Sequence, residues 1–205
     1  MARRARGRPP RISLEQVVDA AIAMGLAKVS MRGLARTLGV GASTLYYHVQ
    51  SREQLQSLIS DRLLEQLRLE LGDPRQWRHA MLEGGRALRA LFVAQPGLAD
   101  NAMRDPQWGD TIVALHEAAC AHLVEAGFSP GRAFLAVRAI ADLAEAHSVR
   151  AHHHQRAGRS DLEYAADAYG HHPALRRALA ELGSDFSDQR FDYALRSLIR
   201  GIDKG

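Results

Sequence analysis

The segment that most restricts the fold lies between residues 30 and 52, where two stretches of fewer than ten residues are joined by Gly39-Val40-Gly41. Ser30 can cap the free amides of a helix start. Leu34, Ala35 and Leu38 recur at the spacing of one helical face. Gly39 can supply the left-handed residue that ends such a helix, a conformation that a Cβ resists. Beyond the turn a third helix is predicted over Ala42–Val49. Leu45 and Val49, four residues apart, turn one side of it inward. Ser43, Thr44, Tyr46, Tyr47 and His48 are left for the rest of its surface. Helices this short do not hold alone, and the preceding segment offers a partner. Leu14, Val17, Val18, Ala21 and Ile22 form an amphipathic stripe, opened by a capping box of Ser13 and Gln16 and stopped at Gly25.

A second capping box, Ser51 with Gln54, opens a fourth helix with Leu55, Leu58, Ile59, Leu63 and Leu67 along one side, closed by Gly72-Asp73-Pro74. Its roughly twenty residues make a rod of about 30 Å, long enough to tie the N-terminal unit to the rest. Further helices are expected over 74–95, near 98–104, over 106–126 and over 130–154. A loop with Gly158, Gly170 and Pro173 follows, then helices over 173–182 and 187–203. Strand-favouring runs of Val, Ile, Thr and aromatics are missing. A composition 46 % apolar and 24 % charged argues against wholesale disorder. The expectation is an all-α protein of about nine to ten helices. It divides into a basic arm (1–12), a three-helix helix-turn-helix domain (13–55) and a helical C-terminal domain (56–205) reached through the long helix.

Charge sharpens that division. Residues 1–52 hold nine basic side chains (Arg3, Arg4, Arg6, Arg8, Arg11, Lys28, Arg32, Arg36 and Arg52) against Glu15 and Asp19, while the whole chain carries only +4. A basic head on a mildly acidic body suits a polyanion at one end; a solvated arginine-rich tail without a partner is the plainer alternative. Within the tail, Arg6-Gly7-Arg8-Pro9 has the form of an AT-hook core, in which two arginines flank a glycine narrow enough for an A/T minor groove. Sequence-neutral attraction to phosphates explains the same residues equally well. Cys120 is the single cysteine, which suits a reducing compartment. No apolar run is long enough to span a bilayer, and the basic start lacks the apolar core of a secretory signal. A soluble, cytoplasmic protein is expected.

The run Ser30-Met-Arg-Gly-Leu-Ala-Arg-Thr-Leu-Gly-Val-Gly-Ala-Ser-Thr-Leu-Tyr-Tyr-His-Val-Gln-Ser-Arg-Glu-Gln-Leu resembles the DNA-binding domain of the TetR family, in particular the tetracycline-repressor branch, whose recognition helix reads T-L-Y-W-H-V. The resemblance covers residues 13–71. It returns at Phe191-Asp-Tyr-Ala-Leu-Arg-Ser-Leu-Ile-Arg-Gly-Ile, which is similar to the F-x-x-G-L-x-x-L-x-x-G-L pattern of that branch's last helix. It implies contacts to bases or phosphates of double-stranded DNA from Arg32, Thr44, Tyr46, His48 and Arg52, with Tyr47 bracing the helix and touching the backbone; Ser43 on the same helix and Arg6 and Arg8 of the tail are further candidates. Ala42 and Ser43 stand where that branch carries a long polar residue and a proline, so its operator does not transfer to this chain. Tyr46 and Tyr47 also admit a second reading, as plain core aromatics.

For the C-terminal domain the resemblance implies an apolar pocket for a small-molecule effector. The candidate lining is Trp77, Met81, Leu88, Phe92, Met103, Trp108, Ile112, His116, Phe134, Val137 and His147, although core packing competes as an explanation for each. Consecutive histidines such as His152, His153 and His154 point about 100° apart on a helix and converge poorly on one metal; no metal or cofactor is expected. The small residues Ala133, Ala136, Ala139, Ala141 and Ala144 of helix 130–154, with Phe191, Leu195, Leu198, Ile199 and Ile202 of helix 187–203, suggest a four-helix homodimer interface. Packing within one chain would use the same stripes. The resulting expectation is a dimeric, ligand-responsive DNA-binding regulator, a repressor by default, released from a palindromic operator. Two rivals stand beside it: an architectural DNA-binding dimer without effector, and a helical enzyme using His116 or His147. The second finds no paired carboxylate, nucleophile or phosphate loop at recognisable spacing, so no enzymatic activity is expected.

Overall fold

The computed structural model describes residues 12–104 and 109–202. Among them the chain forms eleven α-helices and no strand. The head comprises α1 (Leu14–Met24), α2 (Met31–Thr37) and α3 (Ala42–His48), followed by α4 (Arg52–Leu64). The body comprises α5 (Trp77–Ala94), α6 (Leu98–Arg104), α7 (Asp110–Glu125), α8 (Pro130–Arg156), α9 (Asp161–Tyr169), α10 (Pro173–Leu182) and α11 (Phe186–Gly201). The all-helical architecture is as the sequence predicts. No helix among the described residues is long and apolar enough to cross a membrane.

In the head the local signals act as expected. Ser13 and Gln16 close a capping box on α1, while Ser30 and Ser51 cap α2 and α4. Gly39 turns the chain with φ +67°. Val17, Ala21, Leu34, Leu45 and Val49 are wholly buried where α1, α2 and α3 meet. α4 packs on α1 through one side and on α6 and α7 through the other. The division expected at residue 55 therefore falls inside a helix shared by head and body. A second seam lies at Gly97, where φ is +96° and a Cβ would stand 3.2 Å from the backbone nitrogen of Ala27; the α5–α6 turn rests directly on the α1–α2 loop.

The body is centred on α8, which packs against α5, α6, α7 and α11. Gly85 of α5 makes the crossing close: a Cβ there would lie 3.0 Å from side-chain carbons of Ile140 and Leu195. Ion pairs Arg86–Asp192 and Arg89–Asp188 bind α11 to α5, and Asp161 of α9 joins His154 of α8 to Arg190 of α11.

Three features differ from the sequence reading. α4 stops at Leu64 and spans about 20 Å, short of the expected 30 Å. The residues after it read Leu67-Arg68-Leu69-Glu70-Leu71, a period of two. On a helix Leu69 would face away from its neighbours, whereas an extended backbone aims all three leucines to one side. α9 occupies the expected loop, opened by a capping box of Ser160 with Glu163. Finally, the stripes assigned to dimerisation are largely used within one chain. Ala133, Ala136, Ala141 and Ala144 are buried in α8, as are Phe191, Leu195 and Ile199 in α11, where that helix packs on α5 and α8.

Candidate functional site

The outer surface of the head is built by α2, α3 and the first turn of α4. With Leu45 and Val49 fully buried, α3 has one orientation, and it leaves Tyr46 at 48 % and Tyr47 at 86 % exposure. Ser43 is exposed, and Thr44 and His48 are half-buried beside them. The Tyr47 and His48 rings meet edge to face at 5.3 Å. Arg52 is exposed at the start of α4 and Arg32 on α2. Tyr46 and Arg32 line a shallow groove between α2 and α3 with Met31, Ala35, Val40, Ala42 and Arg36. Sequence reading did not single out Arg36, although it lies one turn beyond Arg32. The surface therefore offers cations, hydroxyls and rings on a convex helix, the chemistry that contacts phosphates and base edges in a major groove. Arg6 and Arg8 lie outside the described residues.

A cleft of about 70 Å³ opens in the body between the Leu67–Leu71 segment and helices α5, α7 and α8. Five of the expected lining residues meet in it: Met81, Leu88, Ile112, His116 and Val137. Leu67, Leu69 and Leu71 complete one wall; their alternation is the signal that could have found them. The other expected residues lie elsewhere. Trp77 is buried edge to face on Phe128 at 4.8 Å, and Phe92 is wholly inside the core. Met103 and Phe134 are exposed at 58 % and 47 %. Trp108 lies outside the described residues. His147 stands edge-on to Phe191 at 5.3 Å; burial, reinforced by Arg190, Arg89 and Arg150, holds its imidazole down to about 4. His116 donates from Nδ1 to the carbonyl of Ile112 (2.8 Å) and turns Nε2 toward Arg138 at 3.4 Å; burial lowers its pKa.

A smaller chamber of about 40 Å³ lies under α4, sharing Ile112 with the cleft and lined also by Ser57, Ser60, Asp61, Asn101, Arg138 and Glu145. Asn101 donates to the Ser60 hydroxyl at 2.8 Å, joining α6 to α4. The Asp61 carboxylate of α4 accepts from the backbone and hydroxyl of Thr111 in the first turn of α7, where burial raises its pKa against those bonds. A Cβ on Gly109 would collide with that carboxylate. α7, a wall of the cleft, is thus tied to the helix that begins in the head. Among the described residues no three His, Cys, Asp or Glu side chains gather as a metal site would require.

Comparison with known proteins agrees with this arrangement. Residues 71–205 match the family described as tetracyclin repressor-like, C-terminal domain. An HTH-type transcriptional regulator of Saccharopolyspora erythraea is 27 % identical over 202 residues, covering 94 % of this chain and 85 % of that protein. The class D tetracycline repressor protein of Escherichia coli is 27 % identical over 203 residues, 94 % of this chain and 90 % of its own length. Among solved structures, Streptomyces coelicolor ActR in complex with actinorhodin superposes with a TM-score of 0.78 at 26 % identity, covering 95 % of this chain and 96 % of that one. With a family match over more than half of its length and a helix-turn-helix head of the fitting form, the chain belongs to the TetR family of transcriptional regulators.

Proposed function

We propose that this regulator is a homodimeric repressor whose hold on a palindromic operator is released when a small molecule enters the cleft. The observation that carries this reading is the Asp61–Thr111 link. Typical ligand pockets occupy roughly 300–1,000 Å³, so a cleft of about 70 Å³ must widen to admit an effector, and α7 or the Leu67–Leu71 wall must move. Moving α7 drags on α4 through Asp61, and α4 carries Arg52 and packs on α1. An effector acts this way only if it favours the dimer state that cannot hold DNA. Likeness to ActR with actinorhodin and to a tetracycline repressor supports a small-molecule effector.

On DNA, the two α3 helices of a dimer would enter successive major grooves about one turn apart. Ser43, Thr44, Tyr46, Tyr47 and His48 would supply contacts from α3, Arg32 and Arg36 from α2, and Arg52 from α4. Arg6 and Arg8 would extend the contact. With the inner stripes of α8 and α11 occupied, a partner would meet their outer faces, where Leu135 is 67 % and Tyr193 77 % exposed. The test is selection of bound fragments from genomic duplex DNA, followed by titration of compounds onto the complex. A compound that raises the melting temperature and weakens DNA binding fits the proposal; compounds that bind without affecting DNA affinity would leave an architectural dimer.

A further inference from the structure

The chamber under α4 holds a group that the DNA-reading function does not use. Glu145 of α8 is only 5 % exposed, lines the chamber, and takes no hydrogen bond or salt bridge among the described residues. Burial pushes its carboxyl up to about 7, with Arg138 pulling the other way and Asp142 adding to the rise. Asp61 presents a second carboxylate to the same space from α4. The arginine that lines it among the described residues, Arg138, is engaged by Asp142. α6 contributes the neutral Asn101; His116 of α7 lines the adjoining cleft and turns its imidazole toward Arg138. A buried acid without a partner is costly to ionise, and a cation placed against it removes that cost. The size fits a compact group: about 40 Å³ is close to the roughly 30 Å³ share of one water molecule.

We propose that the chamber is a subsite for a primary ammonium, so that the effector is an amine on an apolar body, its body in the adjoining cleft and its head between Glu145 and Asp61. The inference rests on the effector cleft proposed above and names what enters it. The cleft wall around it is apolar, built from leucines, Met81, Ile112 and Val137. The shared residue Ile112 places the two spaces side by side, and Ser57, Ser60 and Asp61 put the charged end of the ligand directly against α4. The head group would thus be the part of the ligand that acts on the helix leading to DNA.

The test compares naphthylmethylamine with the uncharged naphthalenemethanol by calorimetry on the full chain and on Glu145→Gln. The expected result is an amine affinity at least about tenfold above that of the alcohol, a preference that Glu145→Gln erases. Equal binding of both probes to the unaltered protein would overturn the ammonium subsite and leave the cleft standing. Binding of neither would overturn both. A preference that survives in Glu145→Gln would overturn the role of the carboxyl. A second measurement needs no variant: near pH about 6.5, titrations in buffers of different ionisation enthalpy should show protons released with the amine and none with the alcohol. Absence of that release would also overturn the assignment.

Discussion

The head and the body spend their apolar residues differently. In the head, Val17, Ala21, Leu34, Leu45 and Val49 close on one another completely, and beyond Ala42 what α3 leaves outside is polar or aromatic. In the body, Leu67, Leu69, Leu71, Leu88 and Ile112 stand around a space that they do not fill. A closed core resists deformation, because displaced side chains meet hard neighbours, while a core with a gap can be re-shaped by whatever occupies it. The head is thus suited to be carried as a rigid piece and the body to change, with α4 between them.

The largest effect that would break this contrast is a truncation of the head core. Leu45→Ala should cost about 2–5 kcal/mol in urea unfolding and abolish DNA binding; a cost near that of a surface change would show that the head is loosely packed. Next come the outward residues. Tyr46→Ala and Arg52→Ala should each weaken DNA binding about tenfold, within the roughly 1–3 kcal/mol of a good base or charged contact, with unchanged helix content by circular dichroism. Unaltered affinity in both would remove α3 and the start of α4 from the interface. Smaller again is Leu69→Ala in the cleft wall, expected at about 1 kcal/mol, well below Leu45→Ala, with an altered response to cleft ligands. Equal costs for the two leucine truncations would erase the distinction between closed and open cores.

A last effect concerns pH. The folded chain keeps the Glu145 proton up to about 7, whereas the unfolded chain releases it near 4.5, so this residue makes stability fall as pH rises through that window. His147 works in the opposite sense. Its folded pKa of about 4 lies below the unfolded 6.5, so the unfolded chain takes up the extra proton and stability falls as pH drops from 6.5 to 4. The two slopes oppose each other over most of their range. Glu145→Gln should therefore make the melting temperature drop more steeply on acidification, and His147→Gln less steeply. Profiles parallel to the unaltered protein in both would contradict the burial assigned to these two groups.

The head was legible in the sequence because its determinants are local: serine caps, Gly39, and apolar residues four positions apart. The end of α4 was not, because Leu63 and Leu67 continue a helical stripe and mask the alternation that starts at Leu67. α9 was hidden between Gly158 and Gly170, although the capping box of Ser160 and Glu163 was present. In the body, the family resemblance pointed to Met81, Leu88, Ile112, His116 and Val137, yet it pointed to Trp77 and Phe92 equally. Whether an inward residue meets a void or another ring depends on the helices packed opposite, and that information is spread along the chain. The same holds for Glu145, one of many helical carboxylates until α4, α6 and α7 close over it.

The turn at Gly97 has a mechanical consequence. Only a hydrogen stands where a Cβ would lie 3.2 Å from the Ala27 nitrogen, so glycine lets the two stretches of main chain come closer than any other residue would allow. Any side chain larger than glycine's at this position would press on that main chain and lift the N-terminal unit off its seat on the body.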